Sequence, residues 1–147
     1  MNKIGIDLGG TKIEGIVLDE DYNTIDRKRI PTNREDGYEA IIKRIAGLGH
    51  QLLEKSTRVK QIGICTPGAV DPSMGTMKNS NTICLIGKPL QKDLEKEFDL
   101  PVAMENDANC FALAEAIFGA AKGYGVVFGV IMGTGVGGGI IINSNIH

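Results

Sequence analysis

Tryptophan is absent from this sequence, and aromatic residues of all kinds make up only 5% of it. Intrinsic fluorescence therefore has little to report, and melting temperature is the better probe of ligand binding. Cysteine is scarce: Cys65, Cys84 and Cys110 are odd in number, far apart, and form no Cys-x-x-Cys pair. That spacing excludes a zinc-ligand cluster and a disulfide framework. Three reduced, mostly buried thiols in a cytosolic protein are expected instead. Neither sign of charge dominates. Sixteen Lys and Arg against 18 Asp and Glu leave a net charge of −2, which offers no electrostatic footprint for nucleic acid or an anionic membrane. No apolar run reaches the roughly 18 residues that a membrane helix needs. Met1 leads straight into a strand-like segment, without a basic region followed by an apolar core, so no signal peptide is expected. Low-complexity tracts are lacking as well. What is present is a globular composition, 42% hydrophobic over 147 residues, enough to bury the core of one ordinary domain.

Glycine is the residue in excess. Twenty in 147 is about twice the typical usage of roughly 7%. They cluster at Gly9-Gly10 and again at Gly133, Gly135, Gly137, Gly138 and Gly139. A flexible linker would mix glycine with serine and other polar residues. Both clusters are instead flanked by β-branched strand formers, so they read as tight turns inside a folded domain.

Residues 3–8 and 13–18 read as two strands joined through Gly9-Gly10-Thr11-Lys12 into a hairpin. A third, more polar strand covers about 22–30 and stops at Pro31. From Asp36 to about Lys55 the apolar positions follow one face of an amphipathic helix, weakened by Gly47 and Gly49. Residues 59–65 read as a buried strand ended by the turn Thr66-Pro67-Gly68. A loop then runs to about Lys88, and Pro89 opens a helix with Leu90, Leu94 and Phe98 spaced four apart. A strand at 101–105, an alanine-rich helix from Asp107 to about Phe118, and a hinge at 119–125 come next. Segments 126–132 and 139–142 form a second hairpin around the glycine cluster. The order β-β-β-α-β-α-β-α predicts an α/β fold with a mixed sheet and helices on both of its faces.

Three places carry chemistry. A glycine-rich turn between strands can point several backbone N–H groups into one concavity, with no Cβ to hold an anion away. Thr11 adds a hydroxyl and Lys12 an ammonium, while Asp7 stands where a carboxylate could hold a hydrated Mg²⁺ beside phosphates. The alternative is a hairpin whose glycines only satisfy turn geometry. The second turn, from Gly133 to Gly139, lacks the Gly-Lys-Ser/Thr of a Walker motif. It is followed by a strand where a Rossmann fingerprint needs a helix. Two phosphate-binding hairpins, each in its own lobe with a nucleotide between them, account for the pair. The third place is Glu105-Asn106-Asp107-Ala108-Asn109 at a strand-to-helix junction. Asp or Asn there can be a plain N-cap. Alternatively, Asp107 is a general base aimed into a cleft, with Asn106 hydrogen-bonding a polyol beside it.

Asp7-x-Gly9-Gly10-Thr11-Lys12, Thr66-Pro67-Gly68-x-Val70-Asp71, Glu105-Asn106-Asp107-Ala108-Asn109 and Gly133-Thr134-Gly135-Val136-Gly137-Gly138-Gly139 occur in the order of the ROK family (repressors, open reading frames, kinases). The resemblance covers essentially the whole chain. It implies an actin-like ATPase domain of ribonuclease-H-like fold, similar to hexokinase, actin and the heat-shock chaperone ATPases. The stretches Lys78-Asn79-Ser80-Asn81, Gly87-Lys88-Pro89-Leu90 and 106–110 look most like bacterial fructokinase, glucokinase and N-acetylglucosamine kinase members.

The activity so implied is ATP-dependent phosphorylation of a hexose or N-acetylhexosamine hydroxyl. In it Asp107 would be the base, Asn106 and Asn81 would contact sugar hydroxyls, and Gly68 would lie close to the sugar. Asp7, Gly9, Gly10, Thr11 and Lys12 would serve the Mg–ATP phosphates, with Asp7 holding Mg²⁺ through water, as would Gly133, Thr134 and Gly135. Residues 1–120 are expected to form the N-terminal lobe, and 121–147 the hinge and first hairpin of an incomplete C-terminal lobe. The family continues with a Glu-x-Gly-His sugar segment and a cysteine cluster for structural zinc. The chain is therefore expected to be an inactive part of a longer cytoplasmic enzyme, a homodimer at full length. The alternative within the family is a sugar-sensing transcriptional repressor. Repressor members carry an N-terminal helix-turn-helix and often lose parts of the ATP motif, whereas here the first strand starts at residue 3 and the motif is intact. A chaperone-like ATPase with a protein partner fits the first hairpin but not the Asn-Asp-Ala-Asn junction.

Overall fold

The structure, a computed structural model, describes residues 1–133 and 135–147. It divides into two compact units, Met1–Met104 and Glu105–His147.

In the first unit, strands β1 (Lys3–Leu8), β2 (Lys12–Leu18), β3 (Thr24–Pro31), β4 (Ile62–Thr66) and β7 (Val102–Asn106) make one sheet, ordered β3-β2-β1-β4-β7. The last two residues of β7 belong to the second unit. β1 pairs antiparallel with β2 and parallel with β4, so the sheet is mixed, as the element order predicts. Alternation puts Ile4, Ile6, Leu8, Ile13, Val17, Ile62 and Ile64 on a single buried face. Helix α1 (Tyr38–Glu54) packs there through Ile41, Ile45, Leu48 and Leu52, all nearly inaccessible. Helix α2 (Leu90–Phe98) lies against α1, contributing Leu90, Leu94 and Phe98 to the same core. Pro89 sits at the N-cap of α2, one residue ahead of the expected first turn. The Tyr38 hydroxyl donates to Asp93 Oδ2 at 2.7 Å and ties the two helices together. Burial, with the Asp93 carboxylate beside it, pushes that phenol well above its usual range, so it remains a donor.

The loop expected between β4 and α2 holds more structure than its composition announces. β5 (Ala69–Val70) pairs antiparallel with β6 (Met77–Lys78), and a 3-10 turn covers Ile83–Leu85. Two-residue strands are too short to leave a periodic signal. The connection between them is organised by Asp71, whose Oδ1 accepts from the Ser73 amide and hydroxyl.

In the second unit, β8 (Val126–Met132), β9 (Val136–Ile142) and β10 (Asn145–Ile146) form an antiparallel sheet ordered β10-β9-β8. Helix α3 (Asp107–Ile117) packs on it. This corrects one expectation: β9 begins at Val136, so Gly137 and Gly138 lie with Gly139 inside the strand and not in the turn. Glycine is a poor strand former, and packing supplies the reason for three in a row. A Cβ on Gly139 would stand 2.6 Å from the Ala108 carbonyl oxygen, and one on Gly129 would stand 2.7 Å from Ala112 Cβ. Gly129 and Gly139 are register partners, and Ala108, Ala112 and Ala116 form the buried stripe of α3. Helix and hairpin thus meet almost backbone to backbone. On the opposite side of the hairpin Val126, Phe128, Met132 and Val136 are more than two-thirds exposed.

The cysteines are half-buried rather than buried, and none is in a disulfide.

Candidate active site

The first glycine turn closes with the Gly9 amide donating to the Lys12 carbonyl at 2.9 Å. A Cβ at Gly9 would lie 2.9 Å from that same carbonyl oxygen, so the turn tolerates only glycine there. Thr32, fully buried just beyond β3, holds the turn from beneath. Its hydroxyl donates to the Gly9 carbonyl at 2.7 Å and its amide to the Thr11 carbonyl at 3.0 Å. Arg44 of α1 donates in turn to the Thr32 carbonyl at 3.0 Å and pairs with Asp36. Thr11 and Lys12 are exposed. The turn is therefore fixed from behind and open in front, as a backbone cradle for an anion must be. Thr32→Val is expected to cost about 1–2 kcal/mol, because the Gly9 carbonyl loses its partner. Denaturant unfolding of the variant checks this, and an unchanged midpoint would refute the supporting role.

Asp7 ends the exposed side of β1, in register with Glu14 on β2 and Cys65 on β4. Burial would raise the Glu14 carboxyl. Bonds from Arg27 and Arg29 outweigh that and hold it below its usual range. Those two guanidiniums also balance the like charge that Glu14 sets beside Asp7. Among the described residues no group of three or more His, Cys, Asp and Glu could enclose a metal ion. An exposed carboxylate next to a glycine turn with an open front is the kind of group that suits Mg²⁺, which keeps several waters and binds through one or two carboxylates plus substrate phosphates.

Gly68 has φ +148, and a Cβ on it would stand 2.7 Å from the Lys78 carbonyl and 3.1 Å from Ser80 Cα. This close approach seats the Thr66-Pro67-Gly68 turn against the segment carrying Asn81, which is exposed. Ser80, buried, accepts from the Thr82 amide at 3.1 Å through its Oγ. The carboxyl of Asp71 lies well below its ordinary range. The Ser73 hydroxyl and amide hold it there, followed by Lys78 and the Met74 amide. Asp7, Gly9, Gly10, Thr11, Lys12, Gly68 and Asn81 all belong to the first unit.

Asn106, Asp107, Gly133 and Gly135 belong to the second unit. Asn106 is the N-cap of α3, its Oδ1 accepting from the amides of Ala108 at 3.0 Å and Asn109 at 3.4 Å. Glu105 Oε1 orients it, accepting from the Asn106 amide at 2.8 Å and from Asn109 Nδ2 at 2.9 Å. The capping role thus falls to Asn106, and Asp107 is the first residue of the helix. Asp107 is half-buried, and its Oδ1 accepts from the Ala108 amide at 2.8 Å. At the other turn the Gly133 amide donates to the Gly135 carbonyl at 2.8 Å. Thr134 lies outside the described residues.

The residue types and their placement can be set against known proteins. The model of the ROK family matches residues 3–147. The chain belongs to the ROK family. Among curated relatives, the N-acetyl-D-glucosamine kinase of Yersinia pestis is 42% identical over 142 residues, which is 97% of this chain and 55% of that protein. The Haemophilus influenzae enzyme of the same name is 38% identical over 143 residues, 97% of this chain and 47% of its own length. A solved ROK family glucokinase from Streptomyces griseus, in complex with glucose and AMPPNP, matches with a TM-score of 0.89 at 35% identity. That match takes in 100% of this chain and 46% of the other. The chain therefore spans about half the length of these ROK relatives. The motifs legible in the sequence are compact runs dominated by glycines, carboxylates and amides. Thr32, Arg44 and Thr82, brought to the first turn from elsewhere in the chain, carry no spacing signal and were not foreseen.

Proposed function

We propose that this chain carries the phosphate cradle and the general base of an ATP-dependent sugar kinase, acting on a hydroxyl of a hexose or N-acetylhexosamine. The observation that carries the reading is the match, over the whole chain, to a ROK glucokinase solved with glucose and AMPPNP. The relatives named N-acetyl-D-glucosamine kinase support the acceptor class. The site residues are consistent with it. Asp107 accepts the proton of the attacking hydroxyl, that oxygen bonds to the γ-phosphorus, and the bridging β,γ oxygen leaves with ADP. The Gly9–Lys12 turn supplies backbone donors and a cation to the phosphates, and Asn106 and Asn81 orient the sugar. Asp7 would hold Mg²⁺, whose charge offsets that of the phosphate oxygens. Positioning and charge neutralisation contribute most of the rate in such transfers, and a base adds about 10²–10⁴-fold. Such an enzyme works where ATP is, in the cytoplasm, and a homodimer is the assembly the ROK resemblance implies.

The test is a coupled ADP-release assay on a chain extended to its relatives' length, across glucose, fructose, mannose and N-acetylglucosamine. Turnover with at least one of them is expected, and negligible turnover from residues 1–147 alone. ADP release with none of the four, or release independent of sugar, would sink the proposal.

A further inference from the structure

Gly9 and Gly10 are adjacent, yet only the first is required by the fold. Gly10 has no positive φ. A Cβ built on it meets nothing closer than 3.8 Å, an ordinary contact distance. Neither turn geometry nor packing therefore demands glycine at position 10. What a side chain would do there is fill a space.

Two polar groups flank that space. One is Thr82 Oγ1, 3.8 Å from the Cβ point. Thr82 is 1% exposed, and this hydroxyl has no hydrogen-bond partner. A buried hydroxyl left without a partner is costly and calls for an explanation such as a ligand or a role in catalysis. The other is Arg34 Nη1, also 3.8 Å from the Cβ point. Arg34 is exposed, and its guanidinium forms no hydrogen bond or ion pair among the described residues. Arg27, Arg29 and Arg44 are each paired with a carboxylate. The Arg34 backbone, by contrast, is held in place: its carbonyl receives the Gly37 amide at 3.2 Å and the Cys84 thiol at 3.8 Å. The main chain is anchored, while the rotatable guanidinium end and the orphaned hydroxyl each come within 3.8 Å of the same empty Cβ point on Gly10.

We propose that the space beside Gly10, between the buried Thr82 hydroxyl and the unpaired Arg34 guanidinium, is a subsite for an oxygen of a nucleotide's terminal phosphate. Arg34 supplies a charge-assisted donor in addition to Lys12, and Thr82 supplies a neutral one from beneath. The inference rests on the kinase reading only in naming the phosphate as a nucleotide's.

The experiment is calorimetric titration of the full chain with magnesium tripolyphosphate, which presents a terminal phosphate without needing an adenosine wall. Arg34→Gln and Thr82→Val are each expected to weaken binding about tenfold, the scale of a lost charge-assisted bond. Thr82→Ser, which keeps the hydroxyl, should bind within about twofold of the parent. Unliganded Thr82→Val should melt no lower than the parent, because the hydroxyl it removes has no partner to lose. A fall in its melting temperature would show a structural role and overturn the proposal, as would parental affinity in both Arg34→Gln and Thr82→Val. Lys12→Gln separates the two readings. If it alone weakens binding, the kinase cradle stands and the Arg34–Thr82 subsite falls; if it has no effect while the other two do, the subsite stands and the cradle assignment falls. Absence of binding by the parent at millimolar tripolyphosphate would remove both. Binding of a hexose 6-phosphate but not of tripolyphosphate would overturn the nucleotide assignment.

Discussion

Asp107→Asn, in a chain extended to the length of its relatives, is expected to lower kcat at least about 100-fold. The sugar KM should change little if, as proposed, Asn106 and Asn81 orient the sugar. The substitution is nearly isosteric, and an amide oxygen at the same place can still accept from the Ala108 amide that Oδ1 now holds at 2.8 Å. Asn106 remains the cap, its side chain bonded to two helix amides. The only structural cost is a negative charge lost from the first turn of α3, worth about 0.3–1 kcal/mol. A variant that folds as the parent and has lost only its proton acceptor should therefore fail at the chemical step. Steady-state kinetics on the variant, with its melting curve alongside, would decide. Turnover close to the parent's would retire Asp107 as the base.

Gly139→Ala is expected to destabilise the chain by about 1–3 kcal/mol, the range for forcing extra carbon into a packed interior. The added methyl would lie 2.6 Å from the Ala108 carbonyl oxygen and 2.9 Å from both the Ala108 carbonyl carbon and Asn109 Cα. All three are backbone atoms, so no rotamer change relieves the clash, and the first turn of α3 has to move. Gly133→Ala is the matched control, since a Cβ there meets nothing within 4 Å. Denaturant unfolding of both should show a lowered midpoint for position 139 and little change for position 133. Equal midpoints would mean that the contact of helix with strand is not tight. In the extended enzyme, Gly139→Ala should also lose turnover, because displacements of about 1 Å at a reacting group can cost 10²-fold.

Much of the fold is legible because its signals are periodic. The alternation of Ile4, Ile6 and Leu8 against Ile13 and Val17 fixes both strands and the buried face. The face of α1 shows in Ile41, Ile45, Leu48 and Leu52 in the same way. Where reading by pattern fails, a tertiary contact has overridden local preference. Gly49 weakens α1 as a lone helix, but in the fold the Phe98 ring occupies the place of its side chain, 2.3 Å from where a Cβ would be. Gly137 and Gly138 read as a turn because nothing local reveals that Ala108 of α3 will lie against the first and the Phe128 ring against the second. The motif residues of the site were legible as compact runs. Their supports were not, since a hydroxyl such as Thr32 or Thr82 acquires its meaning only from the segment that folds over it.

The alanine-on-glycine seam in the second unit has a mechanical consequence. Where Gly129 and Gly139 meet Ala112 and Ala108, α3 and the β8–β9 hairpin cannot slide on one another without near-backbone collision, and Ile141, Val127 and Leu113 fill the rest of the seam. They must travel as one solid piece. Asp107 at the head of α3, the proposed proton acceptor, and the β8–β9 hairpin are thus geared together. Evolution or engineering could not retune the aim of one without re-aiming the other.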